Sequence, residues 1–155
     1  MPLLCAPPLS IRKWFKQLMH YYLSLGANLG RREDTIREAI EHIEQQIGHV
    51  RRCSSFYYST PWGFASEHDF CNVCCLLESE RLPIEVLHGT QAIERQLGRT
   101  KKSEKGQYED RTIDIDIIRI LDNGKEVYID SEELRVPHPY WQERDFVTNP
   151  LNEII

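Results

Sequence analysis

Asp114 and Asp116 stand two residues apart in the run Ile113-Asp114-Ile115-Asp116-Ile117. In an extended strand that spacing projects both carboxylates from one face and sends the three isoleucines to the other. Two like charges about 6–7 Å apart, at an effective dielectric of about 20, repel by about 2–3 kcal/mol unless solvent or a cation relieves them. Hard divalent cations such as Mg²⁺ take carboxylate and phosphate oxygens, so the pair points to a metal and phosphate site. A solvated outer face is the plainer alternative, and spacing alone does not separate the two. The segment before the pair, residues 99–111, carries five basic residues (Arg99, Lys101, Lys102, Lys105, Arg111) against three acidic ones, a net charge of +2. A basic loop beside paired carboxylates has the composition of a phosphate clamp, with arginine meeting phosphate oxygens in bidentate fashion. Its low apolar content and Gly106 suit a segment that closes over a bound nucleotide. No GxxxxGK[ST] run occurs, so any use of ATP is not of the P-loop type.

Three further groups need weighing. Cys71, Cys74 and Cys75 fall within one strand-like run, where a CxxC spacing puts its thiols on opposite faces. With no second CxxC or HxxxH to complete four ligands, they read as small buried apolar residues rather than zinc ligands. His138, held between Pro137 and Pro139, suits a fixed polar contact near a ligand, with a surface histidine as the duller alternative. No nucleophile-elbow motif supports serine chemistry.

These groups need a frame. Residues 21–25 form a β-rich run that stops at the glycine-bracketed loop Gly26-Ala27-Asn28-Leu29-Gly30. Over residues 33–47, Ile36, Ala39, Ile40, Ile43 and Ile47 follow helical spacing and Gly48 ends the helix. Residues 50–59 are β-prone up to Thr60-Pro61-Trp62-Gly63, after which a loop runs to about residue 68. Residues 69–78 read as a strand with Phe70, Asn72 and Cys74 on one face and Cys71, Val73 and Cys75 on the other, and an asparagine so flanked needs a hydrogen-bond partner. Pro83 opens a second helix whose Val86, Thr90, Ile93 and Leu97 share a side, with Gly98 as its stop. Residues 113–121 are a strand, Asp122-Asn123-Gly124 a turn, and residues 126–129 its hairpin partner. The remainder has too much proline early for regular structure and room for one short helix. The order β, α, β, β, α, β, β predicts an α+β fold of the ferredoxin-like split βαβ type: an antiparallel sheet, helices packed on one face, and an added hairpin.

The chain has 155 residues, 41 % hydrophobic and 28 % charged, which suits one soluble globular domain. Its net charge of −5 argues against a general nucleic-acid binder, and no apolar run is long enough to cross a membrane. Five cysteines, an odd number, fit a reducing cytoplasm better than a disulfide framework. Residues 1–20 lack the features of an export signal and read as a leader or disordered extension outside the fold, with Met19 a second candidate start; residues 21–155 read as a single domain.

Leu25-Gly26-Ala27-Asn28-Leu29-Gly30, Thr60-Pro61-Trp62-Gly63, Phe70-Cys71-Asn72, Arg111-Thr112-Ile113-Asp114-Ile115-Asp116 and Val136-Pro137-His138-Pro139 with Arg144-Asp145-Phe146 occur in one order and spacing. Together, from about residue 21 to 155, they resemble the 6-hydroxymethyl-7,8-dihydropterin pyrophosphokinase family of folate biosynthesis. The resemblance implies transfer of pyrophosphate from ATP to the hydroxymethyl oxygen of the pterin, giving AMP, with two Mg²⁺ ions held by Asp114 and Asp116. By matched position it implies that Phe70 and Phe146 sandwich the pterin, that Asn72 bonds its edge, and that the backbone around Thr60, Pro61 and Trp62 reads its amide face. Gln91, Glu94, Arg99, Arg111, Ile117, His138 and Arg144 match nucleotide-side positions, with Arg99 and Arg111 stabilising charge on the transferring group beside Asp114 and Asp116. The loop departs from the family pattern: it is longer here and carries Tyr108-Glu109-Asp110 where many members have tryptophan, glycine and proline. The resulting expectation is a cytoplasmic, monomeric enzyme acting on small molecules, with neither nucleic acid nor membrane as partner and no fused aldolase or synthase. Two rivals are a noncatalytic module presenting its sheet to RNA, and a nucleotidyl or phosphoryl transferase with another acceptor. The lack of an RNP-like run disfavours the first, and Phe70, Asn72 and Phe146 distinguish the second.

Overall fold

The computed structural model describes residues 17–59, 69–98 and 113–155. Strand β1 (Met19–Ala27) starts two residues ahead of the expected run because Met19 is itself buried in the core beside Tyr21. Helix α1 (Arg32–Gln46) turns Ile36, Ala39 and Ile43 inward, and Glu33 and Asp34 in its first turn face the positive end of the helix dipole. The single run expected over residues 50–59 is two strands, β2 (His49–Cys53) and β3 (Tyr57–Ser59), laid end to end along one edge of β4 (Phe70–Ser79). Ser54 makes the break. Its N–H donates to the Cys74 carbonyl at 2.8 Å, while its Oγ accepts from the Cys74 N–H at 3.0 Å, a side chain replacing the carbonyl that an unbroken ladder would use.

Helix α2 (Pro83–Gln96) begins at proline, and the Glu85 carboxylate reaches back to accept from the Leu82 N–H at 3.1 Å. Strand β5 (Asp114–Asp122) turns into β6 (Lys125–Glu126) through Asn123 and Gly124, whose φ angles of 52° and 79° are those of a primed hairpin turn. A two-residue turn fixes the register at Asp122 opposite Lys125, so the hairpin partner lies at 125–126 and not at the expected 126–129. The chain then leaves the main sheet, and β7 (Ile129–Asp130) pairs with β8 (Arg135–Val136) in a separate two-stranded sheet. A 3₁₀ turn (Trp141–Glu143) and helix α3 (Asp145–Ile154) follow.

The main sheet has the order β2-β4-β1-β5-β6 with every neighbouring pair antiparallel, and β3 added beside β4. Central strands β1 and β4 are buried on both faces, so each face needs its own cover. On one face Tyr21, Leu23, Leu25, Val73, Leu77, Ile115 and Ile117 pack against Ile36, Ile43, Val86 and Ile93 of α1 and α2. The expectation of helices on one face only is corrected at the other. There Tyr22, Cys74, Leu76 and Ile118 meet Val147, Leu151 and Ile154 of α3, three residues at helical spacing.

Candidate active site

Alternation along the three central strands brings the expected chemistry to the face that α3 half covers. Asn72, Gly26 and Asp114 are direct cross-strand partners in one row, and Ser24 and Asp116 stand opposite each other two residues further along β1 and β5. Ile113, Ile115 and Ile117 are 0 %, 4 % and 4 % exposed, so the strand is anchored from behind while Asp114 and Asp116 remain half-buried toward the site. The ladder register shifts between Tyr22 and Leu23, leaving Ile118 as an extra residue on β5. Parity flips there, so Arg119 lies over the Tyr22 ring on the aspartates' face.

Asn72 finds the partner its apolar setting demands. Its Nδ2 donates to Ser59 Oγ at 2.9 Å and to the Tyr57 carbonyl at 3.3 Å, and the residue is only 4 % exposed. The amide is thereby fixed with Oδ1 over Gly26, where an added Cβ would stand 2.9 Å from it. Phe70, half-buried, borders the same glycine; Phe146, also half-buried, packs on the α3 core of that face, with the Arg144 guanidinium 5.8 Å from its ring centre. Phe70 therefore borders the row that runs from the oriented amide to Asp114, while Phe146 packs on the core of the same sheet face. The elements around them are tied down. Arg32 donates to the Asp69 carbonyl at 2.6 Å, Tyr58 donates to Glu33 at 2.8 Å, Asn149 of α3 donates to the Tyr57 hydroxyl at 3.2 Å, and Ser55 donates to Glu153 at 2.8 Å.

His138 is held by its own N–H, which donates to the Ile118 carbonyl at 2.9 Å. Its Nδ1 is buried without a hydrogen-bond partner among the described residues. Burial, then the nearby Arg144 charge, push its pKa below the ordinary imidazole range against the opposing pull of Asp114. The ring is therefore neutral at pH 7, and Asp114 and Arg144 stand near enough for their charges to act on it. Beside it opens a cleft of about 620 Å³ bordered by Tyr128, Tyr140 and Trp141, where Arg119 is engaged through a two-point ion pair with Glu126 at 3.0 and 2.7 Å.

The pattern of the 7,8-dihydro-6-hydroxymethylpterin-pyrophosphokinase family matches residues 22–155. The chain belongs to this pyrophosphokinase family. It is 47 % identical over 133 residues to the 2-amino-4-hydroxy-6-hydroxymethyldihydropteridine pyrophosphokinase of Porphyromonas gingivalis, covering 86 % of this chain and 88 % of that protein. The Bacillus subtilis protein of the same name is 39 % identical over 134 residues, covering 86 % of this chain and 76 % of that one. A folic acid synthesis protein of Pneumocystis carinii is 39 % identical over 133 residues that make up 17 % of its length.

Within this pyrophosphokinase, Phe70, Asn72, Asp114, Asp116, His138, Arg144 and Phe146 share one face of the sheet or its rim. Gln91 is exposed on α2, and Ile117 is buried on the opposite face of β5. Glu94, one helical turn after Thr90, is 6 % exposed and accepts from the Ile115 N–H at 3.3 Å, so it grips the strand segment between the two aspartates. Thr60, Pro61, Trp62, Arg99 and Arg111 lie outside the described residues, as do residues 101–110. Sequence reasoning missed Ser59 and Tyr57 as the partners of Asn72 and the packing duty of Gly26; the one signal was the asparagine's need for a partner. Two half-buried carboxylates suit Mg²⁺, which binds through one or two carboxylates together with substrate phosphates, so the donor set fits that ion.

Gly26 yields a test of the row. In Gly26→Ala the new methyl group displaces the Asn72 amide while the strand still pairs. The expected result is a rise of about tenfold in KM for the pterin, the equivalent of about 1.4 kcal/mol of lost hydrogen bonding, with KM for ATP little changed. Steady-state kinetics with each substrate varied in turn would detect it, and an unchanged pterin KM would contradict the packing argument.

Proposed function

We propose that this pyrophosphokinase binds its pterin between Phe70 and Phe146 with its edge on Asn72, and holds ATP toward Asp114, Asp116, His138 and Arg144. The reaction of the family is pyrophosphate transfer from ATP to 6-hydroxymethyl-7,8-dihydropterin, a step of folate biosynthesis. In it the hydroxymethyl oxygen forms a bond to the β-phosphorus, the bond from that phosphorus to the α-phosphate oxygen breaks, and AMP leaves. The observation that carries the residue assignment is the single cross-strand row in which Asn72, Gly26 and Asp114 are direct neighbours. Strand spacing sets the amide and the carboxylate about 10 Å apart across Gly26, room for a pterin ring whose hydroxymethyl arm reaches toward the metal site.

Asp114 and Asp116 would hold two Mg²⁺ ions, whose charge, when bound, neutralises the phosphates and favours attack by the hydroxyl. The protein's own part is positioning. Glu94 steadies β5 by gripping the Ile115 N–H, Asn72 orients the pterin, and neutral His138 offers Nδ1 to a donor on the nucleotide side or to its water. Arg99 and Arg111 flank the site in sequence and are assigned to charge on the transferring group.

The strand order β2-β4-β1-β5, with α1 after β1 and α2 after β4, supports the ferredoxin-like reading, β6 being the added hairpin. The working domain, expected from residue 21, is assigned from Met19, where β1 begins, to residue 155, acting as a cytoplasmic monomer on small molecules without nucleic acid or membrane partners. Its acidic net charge supports the part about nucleic acid, and among the described residues no helix is long and apolar enough to cross a membrane. The test is incubation with ATP, Mg²⁺ and hydroxymethyldihydropterin. AMP and the pterin diphosphate are expected in equal amounts, and ADP or free pyrophosphate in their place would overturn the reading.

A further inference from the structure

Away from the site, Cys53 and Cys75 face each other across the β2 and β4 ladder as direct register partners. Their sulfurs are 2.9 Å apart, well inside ordinary contact and less than 1 Å beyond a covalent disulfide of about 2.05 Å. Both are free thiols in the reduced chain. Their settings differ. Cys53 closes edge strand β2 and is exposed to solvent, whereas Cys75 lies wholly inside the core between the sheet and the first two helices.

We propose that Cys53 and Cys75 form a reversible thiol–disulfide modification site that takes small disulfides of the glutathione type as its oxidant. The asymmetry sets the order of events. The contact between the two sulfurs lowers the Cys53 pKa, and the same contact together with burial raises that of Cys75. Cys53 is thus the exposed sulfur with the larger thiolate fraction, and it attacks first. Cys71 and Cys74 do not compete, since both are fully buried and burial pushes them up to about 11 and about 12.

The Cys53 thiolate attacks one sulfur of the small disulfide, forming a mixed disulfide and expelling one small thiolate. Once Cys53 is bonded it is no longer a thiolate whose charge and hydrogen bond hold Cys75 protonated. Cys75 then attacks the Cys53 sulfur, forming the bond between residues 53 and 75 and expelling the second small thiolate. Two protein thiols are oxidised, one small disulfide is reduced to two thiols, and the two protons from Cys53 and Cys75 end on those thiols. The bond ties the sheet edge to β4 from the face opposite Asn72, and excess dithiol reverses it.

The test uses the full chain with Cys5→Ser, so that no thiol before the described residues interferes. The folded protein is treated with oxidised glutathione, alkylated in denaturant, cleaved after glutamates (Glu67 lies between the two cysteines) and analysed by mass spectrometry without reduction. The expected product is a peptide pair joined through Cys53 and Cys75 and lost after dithiothreitol, with Cys71 and Cys74 alkylated. In Cys75→Ala the reaction is expected to stop at a glutathione adduct on Cys53. If the Cys5→Ser chain with both partners present stops at that adduct, joins another pair, or keeps both thiols alkylatable, the site does not exist. That result decides the matter even if the chain that also carries Cys75→Ala does not fold.

Discussion

Replacing Asp114 or Asp116 by alanine is expected to lower AMP formation by at least about a thousandfold, some 4 kcal/mol of transition-state stabilisation, while leaving the unfolding midpoint within about 1 kcal/mol of the parent. The two halves of that expectation have separate physical origins. On the proposed reading activity falls because the carboxylates would be hard-oxygen donors on the site face for the ions that screen the phosphates. Stability holds because β5 is fastened elsewhere: Ile113, Ile115 and Ile117 are buried behind the aspartates, Glu94 grips the Ile115 N–H, and the ladder to β1 runs the length of the strand. Removing one of two like charges about 6–7 Å apart also relieves repulsion in the metal-free protein. Kinetics and thermal unfolding of each variant, with and without Mg²⁺, would check both halves. Wild-type turnover would remove the metal role, and a collapse of stability would recast the residues as structural. In Asp116→Asn, which keeps one oxygen and loses the charge, raising Mg²⁺ is expected to recover part of the lost rate.

The alternation that places those aspartates was readable from the chain because it depends only on the two-residue period of a strand and on isoleucines that must go inside. The same rule sorted Phe70, Asn72 and Cys74 from Cys71, Val73 and Cys75. What escaped depends on side chains that replace backbone or on partners distant in sequence. Ser54 breaks the run over residues 50–59 by bonding Cys74 through its own hydroxyl, and a serine in a β-prone stretch does not announce that. The extra residue at Ile118 is set by pairing with β1 and has no local mark. Helix α3 covers the second face because Tyr22, Cys74, Leu76 and Ile118 leave it apolar, a demand visible only once the strands are adjacent. Glu94 was named through the family resemblance alone, and its charge hid its place one turn after Thr90 on the buried side of α2. Asn72 was the intermediate case: its need for a partner was evident, but the partner arrives through β3, thirteen residues away.

Asn72→Leu is therefore expected to cost both binding and stability, and to do so in a way that separates it from the aspartates. The leucine keeps the branched outline, though it is bulkier, and leaves the Ser59 hydroxyl and the Tyr57 carbonyl without the amide that now satisfies them. An unpaired buried polar group costs about 1–3 kcal/mol, so the unfolding free energy is expected to fall by about that amount. If Asn72 reads the pterin edge as proposed, the substitution removes that polar group, and a site built to hydrogen-bond a heterocycle discriminates steeply when it is gone. KM for the pterin is expected to rise about a hundredfold or more, while ATP binding, measured in the absence of pterin, stays close to the parent value. Asn72→Asp sharpens the comparison. It keeps an oxygen over Gly26, turns the donor toward the Tyr57 carbonyl into an acceptor, and adds a negative charge one strand beyond Gly26 from Asp114. Its pterin affinity is expected to fall as in the leucine variant and its Mg²⁺ requirement to shift to lower concentration, because added negative charge draws the cation. Calorimetric titration of pterin and of Mg·ATP into each variant separates the roles. Equal losses for both ligands would place Asn72 among the general supports of the sheet and remove it from pterin recognition.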